Sequence, residues 1–331
     1  MRFNKLLLLT VLPLFLISCS KDFKVNAEWK EVPVVYGLLN QNDSVHYIKI
    51  TRAFLGEGDA LMYAQIPDSS NYPVGDLQVR VEGWKDNLLK QTLVFHDTLV
   101  QNKDTGIFYA PTQLVYTSGG TLNEEYTYKL FVKNLKSNLE ITSQTDMVRD
   151  FAIENPGPPP ATLSFMTGKK TFFSWYPAKN GTRYEVSLKF HYLESIAGGP
   201  YVEKILDWVI FSDLRAEYEV NAQAITRSLP GESFYNFLHS KLVADPDIQR
   251  TPGVVEVIFT VASPDLNTYM DVTEPSNTIV QERPSFTNIT NGIGLFASRY
   301  NNTKKRPIVI ELSPNTKAEL KTNPLTAGLN F

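Results

Sequence analysis

Between residues 31 and 150, apolar and polar side chains alternate in short runs broken by turn residues, the pattern of strands in a half-buried sheet. Glu31 to Leu39 opens the series, and Asn40-Gln41-Asn42-Asp43 closes that first strand as a turn. From Ser44 to Phe54, His46, Ile48 and Ile50 fall on one face while Val45, Tyr47 and Lys49 fall on the other, so both faces are partly apolar. Leu77, Val79 and Val81 alternate with Gln78, Arg80 and Glu82, and Tyr126, Tyr128, Leu130 and Val132 line one face of a further strand. Strands are also expected at Leu88 to His96, Gly106 to Ala110 and Leu139 to Thr142. Short strands at this spacing make an antiparallel β-sandwich of Ig-like type. Leu55 to Pro73 has no period and exceeds ordinary loop lengths, which marks it as a contact segment to test.

Asn155-Pro156-Gly157-Pro158-Pro159-Pro160 interrupts the alternation with residues that fix extended backbone and cannot donate ladder hydrogen bonds. The segment 151–160 therefore reads as a linker between a sandwich at 31–150 and a second domain at 161–312. In that second part Phe173-Ser174-Trp175-Tyr176-Pro177 and Tyr184-Glu185-Val186 resemble the second and third strands of a fibronectin type III domain. The resemblance implies that Trp175 and Tyr184 pack together as core. Tyr201 to Ser212 and Val254 to Ala262 follow as long apolar strands, with Ile196 to Pro200 as a turn. The stretch 228–245 predicts an inserted helix, with Ser228 as its cap, Pro230 in its first turn and Glu232 complementing its dipole. Phe234, Phe237, Leu238 and Leu242 make its apolar stripe. Residues 263–280 read as loop with a helical turn near Tyr269-Met270, and 313–331 as a C-terminal tail. The expected fold is mainly β, with two Ig-like or fibronectin type III-like sandwiches in tandem and a helix inserted in the second.

Composition agrees with short strands: 20 prolines, 16 tyrosines and 19 phenylalanines stand in 331 residues, with 43% apolar and 20% charged residues. The start of the chain changes the picture more. Basic Met1 to Lys5, the apolar run Leu6 to Ile17 and the small residue Ser18 have the order of a secretory signal, and the run is too short to span a bilayer, which needs roughly 20 residues. Leu16-Ile17-Ser18-Cys19 resembles a bacterial lipobox, and Cys19 is the single cysteine. The resemblance implies cleavage between Ser18 and Cys19, removal of 1–18, and a lipidated Cys19 at the head of a tether, 19–30. It thus implies a membrane-lipid partner through Cys19. Ser20 in place of an aspartate resembles an outer-membrane address, facing either the periplasm or the cell surface. Loss of Arg2 and Lys5 would take the net charge from −3 to about −5. An acidic chain without Lys/Arg clusters argues against nucleic acid as a partner.

Candidate chemistry is sparse. Cys19 aside, the chain has no thiol to form a disulfide, a nucleophile or a metal ligand. His46, His96, His191 and His239 stand apart, without zinc-binding spacing. No Gly-x-Ser-x-Gly elbow or phosphate-binding loop occurs. Gly292-x-Gly294-x-x-Ala297 fits a dinucleotide fingerprint on paper, but the context is turn then strand rather than strand then helix. No catalytic, cofactor-binding or metal-ligating residue is therefore assigned. Asp43-Ser44-Val45 and Asp97-Thr98-Leu99 resemble Bacteroidota O-glycosylation sites, with Ser44 and Thr98 as acceptors.

Val35-Tyr36-Gly37-Leu38, Phe234-Tyr235 and Asn288 to Phe296, in that order behind a lipobox and around a Pro-rich linker, resemble the Bacteroidota lipoproteins catalogued as domain of unknown function 4249. The resemblance implies an envelope location and company with outer-membrane TonB-dependent receptors. The leading expectation is a non-enzymatic outer-membrane lipoprotein that binds a protein partner. Glycan binding or processing, suggested by the aromatic content, and a fimbrial subunit exchanging strands are the alternatives.

Overall fold

The computed structural model describes residues 31–53, 60–274, 285–304 and 306–331. Cys19, the signal 1–18, the tether at 20–30 and Trp29 lie outside the described residues, as does the first part of the loop at 55–73. Val32–Phe331 forms one compact unit. Its first half contains β1 (Pro33–Asn40), β2 (Val45–Arg52), short helices α1 (Ala60–Ala64) and α2 (Pro67–Ser70), β3 (Leu77–Lys85), β4 (Leu88–Val100), β5 (Gln113–Gly119), β6 (Thr127–Asn134) and β7 (Glu140–Asp146). The second half continues with β8 (Ile153–Asn155), β9 (Thr162–Leu163), β10 (Lys170–Trp175), β11 (Arg183–Ile196), β12 (Val202–Arg215), β13 (Ile225–Pro230), α3 (Glu232–Lys241) and β14 (Ile248–Ala262). It ends with α4 (Pro264–Thr273), β15 (Ile293–Asn301), β16 (Ile308–Leu312) and α5 (Pro314–Thr322).

The molecule is mainly β, and alternation decides which faces meet. In the first half Val79 and Val81 of β3, Leu93 and Phe95 of β4 and Leu130 and Val132 of β6 turn inward against Val35 of β1, Ile48 and Ile50 of β2 and Tyr116 of β5. Strand β4 belongs to both layers: its first part, through Phe95, pairs with β3, and His96 to Val100 pair with β5. In the second half β11 lies between β12 and β14, while β10 joins β13 and β8 in a separate three-stranded sheet. Between them sits an aromatic core in which Trp175 and Tyr184, both buried, lie 6.0 Å apart between centroids.

A parallel ladder between β1 and β15 joins the halves, Val34 opposite Ile293 and Asn40 opposite Arg299. Phe296 and Ile289 come from the second half yet are buried in the first core. The expected boundary, with 161–312 a separate second domain, is thus crossed by β15. Residues 288–296 show why. Asn288 accepts the Phe296 N–H and donates to its carbonyl oxygen, closing the turn into β15. The Phe296 ring lies where a side chain on residue 37 would begin, 2.8 Å from the Cβ position, so any larger residue there would have to push the ring aside. Gly294 has φ +116°, and a Cβ there would stand 2.0 Å from the Val35 carbonyl oxygen.

Several expectations need correction. Ser228 does not cap a helix; it lies in β13 opposite Phe172, and α3 begins only after Gly231. Gly231 is pressed against the Met166 backbone, leaving no room for a capping side chain. The predicted stripe does face the core, with Phe234, Phe237 and Leu238 buried and Leu242 packed at its edge. Residues 106–110 form no strand. The tail 313–331 is folded: Ser313 accepts the Thr316 N–H to cap α5, Leu320 and Leu329 are buried, and Phe331 lies 6.0 Å from Phe190. The linker's leading edge is also tied in, since β8 pairs with β10. No described helix is long and apolar enough to cross a membrane.

Candidate functional site

The outward face of the sheet formed by β15, β1, β2 and β5 holds the candidate site. Because β2 alternates, the residues that put His46, Ile48 and Ile50 inside put Val45, Tyr47 and Lys49 outside. Val45 is 42%, Tyr36 43% and Tyr47 54% exposed, an apolar and aromatic surface open to solvent. Two adjoining cavities of about 550 and 480 Å³ lie on it, sharing Tyr36, Lys49 and Gln113.

The larger cavity has a strand floor and two loop walls. Val34, Tyr36, Lys49, Thr51 and Gln113 form the floor. One wall is α2 and its flank, held to β2 by the Thr51–Asn71 bridge. The other is 103–112, where Lys103 N–H donates to Pro111 (3.2 Å) and Tyr109 N–H donates to Ala64 of α1 (3.0 Å). Phe108 and Tyr109, in the stretch expected as strand, serve as wall instead. Helix α4 supplies Tyr269, whose ring meets Tyr36 edge-on at 6.1 Å and whose hydroxyl lies 3.4 Å from that of Tyr36. Arg183 and Arg215, each paired with Asp213 and Asp271, hold α4 to the ends of β11 and β12.

Among the described residues, three cations line this cavity, Lys49, Arg52 and Lys103, and no lining residue is acidic. Lys49 Nζ donates to the Leu114 carbonyl oxygen (2.7 Å), Lys103 Nζ to that of Tyr109 (2.7 Å) and Arg52 Nη2 to that of Asp68 (3.0 Å). Lys103 also stands over the Phe108 ring and Arg52 over the Tyr72 ring, 5.4 and 5.7 Å from their centroids. Burial, with repulsion from Lys103 second, lowers the Lys49 pKa from 10.5 to about 8. The Tyr36 hydroxyl is pushed up to about 12, first by its contact with Tyr269 and then by burial.

The other singled-out residues lie elsewhere. His46 is buried with a ring nitrogen 2.9 Å from the Gly120 carbonyl oxygen, His191 faces Glu203, and His239 faces the Leu325 carbonyl oxygen. Among the described residues no three His, Cys, Asp or Glu side chains gather as a metal site. Ser44 is exposed at the end of the β1–β2 turn, whereas the Thr98 hydroxyl is 2.7 Å from that of Thr117 within the β4–β5 ladder. Trp175 is core, Trp208 stacks on Phe237, and Lys129 covers Trp84, so none of these three lines the groove. Sequence reasoning missed Arg52, Lys103 and Tyr269. The local signal it held was Lys49 on a strand face otherwise carrying Val45 and Tyr47.

Fold and groove together define a mainly-β protein with an uncovered, cation-bearing sheet face. No protein-family model matches the chain, and no curated protein matches it. Among solved structures it is similar to the C-terminal globular domain of an oligosaccharyltransferase from Pyrococcus abyssi, at 10% identity and a TM-score of 0.24, covering 69% of this chain and 47% of that one. The chain thus spans about half the length of that structure, and at such a TM-score nothing passes from one to the other.

Proposed function

We propose that this protein is a non-enzymatic, lipid-anchored outer-membrane protein, built of Ig-like and fibronectin type III-like sandwiches, that binds a partner through the open face of β1, β2 and β5. The observation that supports binding is the uncovered aromatic surface of Tyr36, Tyr47 and Val45 over two adjoining cavities. The lipobox-like start supports the anchor: one buried methylene contributes about 0.8 kcal/mol, so two or more acyl chains on Cys19 would hold the protein to a bilayer. An outer-membrane protein of the TonB-dependent receptor class is the expected partner, as the family resemblance implies. The exposed tyrosines also support a second reading, a glycan stacked on aromatic faces.

Metabolic labelling with palmitate and affinity purification from membranes test the reading. Label on the wild type, none on Cys19→Ser, and an outer-membrane partner lost from Tyr36→Ser/Tyr47→Ser are expected. An unlabelled Cys19, or a partner retained by the tyrosine variant, would sink the anchor or the surface respectively.

A further inference from the structure

We propose that the larger cavity takes a small organic anion, a carboxylate on an apolar or aromatic body, held by Lys49, Arg52 and Lys103; this rests on the binding reading above and names its ligand class. The charge pattern is the first ground. The chain carries a net charge of −3, yet among the described residues this cavity gathers three cations and no acidic side chain. Elsewhere Arg183, Arg215, Arg250 and Lys317 each lie against carboxylates. The three cavity cations meet only carbonyl oxygens and ring faces among the described residues. Lys49 donates one of its three N–H groups to Leu114, which leaves donors for a carboxylate.

Desolvation is the second ground. Burying a cation without a counter-charge is unfavourable, and the lowered pKa of Lys49 reflects that cost. An anion entering beside Lys49 and Lys103 would remove both the burial penalty and their mutual repulsion, forming charge-assisted hydrogen bonds stronger than neutral ones. The walls choose the rest of the ligand. Tyr36, Phe108 and Tyr109 give flat apolar surface, and about 550 Å³ is ample for a small molecule. A single carboxylate on an apolar body suits one half-buried lysine with two flanking cations and fills the aromatic walls, which a bare phosphate would leave empty. A neutral sugar would leave the cations unused.

Calorimetry with 2-naphthoate and its uncharged isostere 2-naphthamide, on the full-length protein in lipid nanodiscs against empty nanodiscs, tests this. Naphthoate is expected to bind at least about tenfold more tightly than naphthamide. Lys49→Gln and, independently, Lys103→Gln should each weaken naphthoate by roughly tenfold without changing naphthamide, and Lys49→Arg should restore binding. Equal binding of acid and amide, naphthoate binding indifferent to both lysine variants, or no binding of either probe would overturn the proposal. If the outer-membrane partner were still captured through Tyr36 and Tyr47, only the ligand class would fall and the binding reading would stand.

Discussion

The two cores of this protein are built from the same alternating strands and both leave an outward face open, with Ile205 and Val209 exposed on β12, but they close their inward faces with different partners. In the C-terminal core the β11–β14 sheet meets the β10 sheet, and Phe165, Phe234, Phe237 and Trp208 stack around α3, with ring centroids 4.6 Å apart for Phe165–Phe234 and 4.7 Å for Trp208–Phe237. Tyr235 donates its hydroxyl to the Phe165 carbonyl oxygen (2.6 Å), which ties the helix to the connection between β9 and β10. In the N-terminal core the inward face is equally closed, with Val35, Ile48 and Ile50 fully buried, but the outward face leaves Tyr36 and Tyr47 in solvent. Aromatic content alone therefore does not distinguish core from contact surface. What distinguishes them is whether a sheet or helix closes over them; over β1, β2 and β5, α2, residues 103–112 and Tyr269 of α4 wall the face without closing it.

Substitutions can break or sharpen that contrast. The largest effects are expected at the core positions: Trp175→Ala in one core and Phe296→Ala in the other should each cost about 3–5 kcal/mol in urea unfolding. If the β1–β15 ladder makes the halves one cooperative unit, both variants will lower a single transition; two separated transitions would show the halves to be independent. Gly37→Ala, whose added methyl meets the Phe296 ring, should cost about 1–3 kcal/mol by the same measurement.

Lys49 gives a pH signature. Its folded pKa of about 8 lies below its ordinary 10.5, so between those values the unfolded chain holds more protons and stability rises with pH. Lys49→Met should abolish that contribution. The variant's urea midpoint should therefore exceed that of the wild type by more at pH 7 than at pH 10.5, and an equal difference at both would show that Lys49 is not desolvated. The smallest effect belongs to the open face. Tyr47→Thr, which keeps a strand-forming residue, should change stability by no more than about 0.5 kcal/mol.

Much of the strand pattern was legible in the sequence because period-2 burial leaves a local trace: Leu77, Val79 and Val81 are buried as their spacing predicts. Trp175 and Tyr184 were legible through a fibronectin-like motif. The helices were less so. Ser228, Pro230 and Glu232 have the chemistry of a helix start, yet β10 pairs with Ser228 and delays the helix by a turn. Ser313-Pro314 has the same chemistry, and there a capped helix did form. Tertiary pairing, not local preference, decided between them. The site was barely legible. Lys49 and Arg52 lie on β2 and Lys103 just after β4, and only the pairing of both strands with β5 brings the three cations to one cavity. The β1–β15 ladder left no periodic trace, because parallel partners so far apart in sequence share no local signal.

That ladder also sets an order of events. A ribosome delivers β1 long before β15, so until β15 emerges the growing polypeptide carries a first core missing Phe296, with Gly37 as an unfilled notch. Contacts between such distant segments slow folding, since the intervening chain must first give up its freedom. The N-terminal half is therefore begun first yet stays incomplete until β15 has emerged.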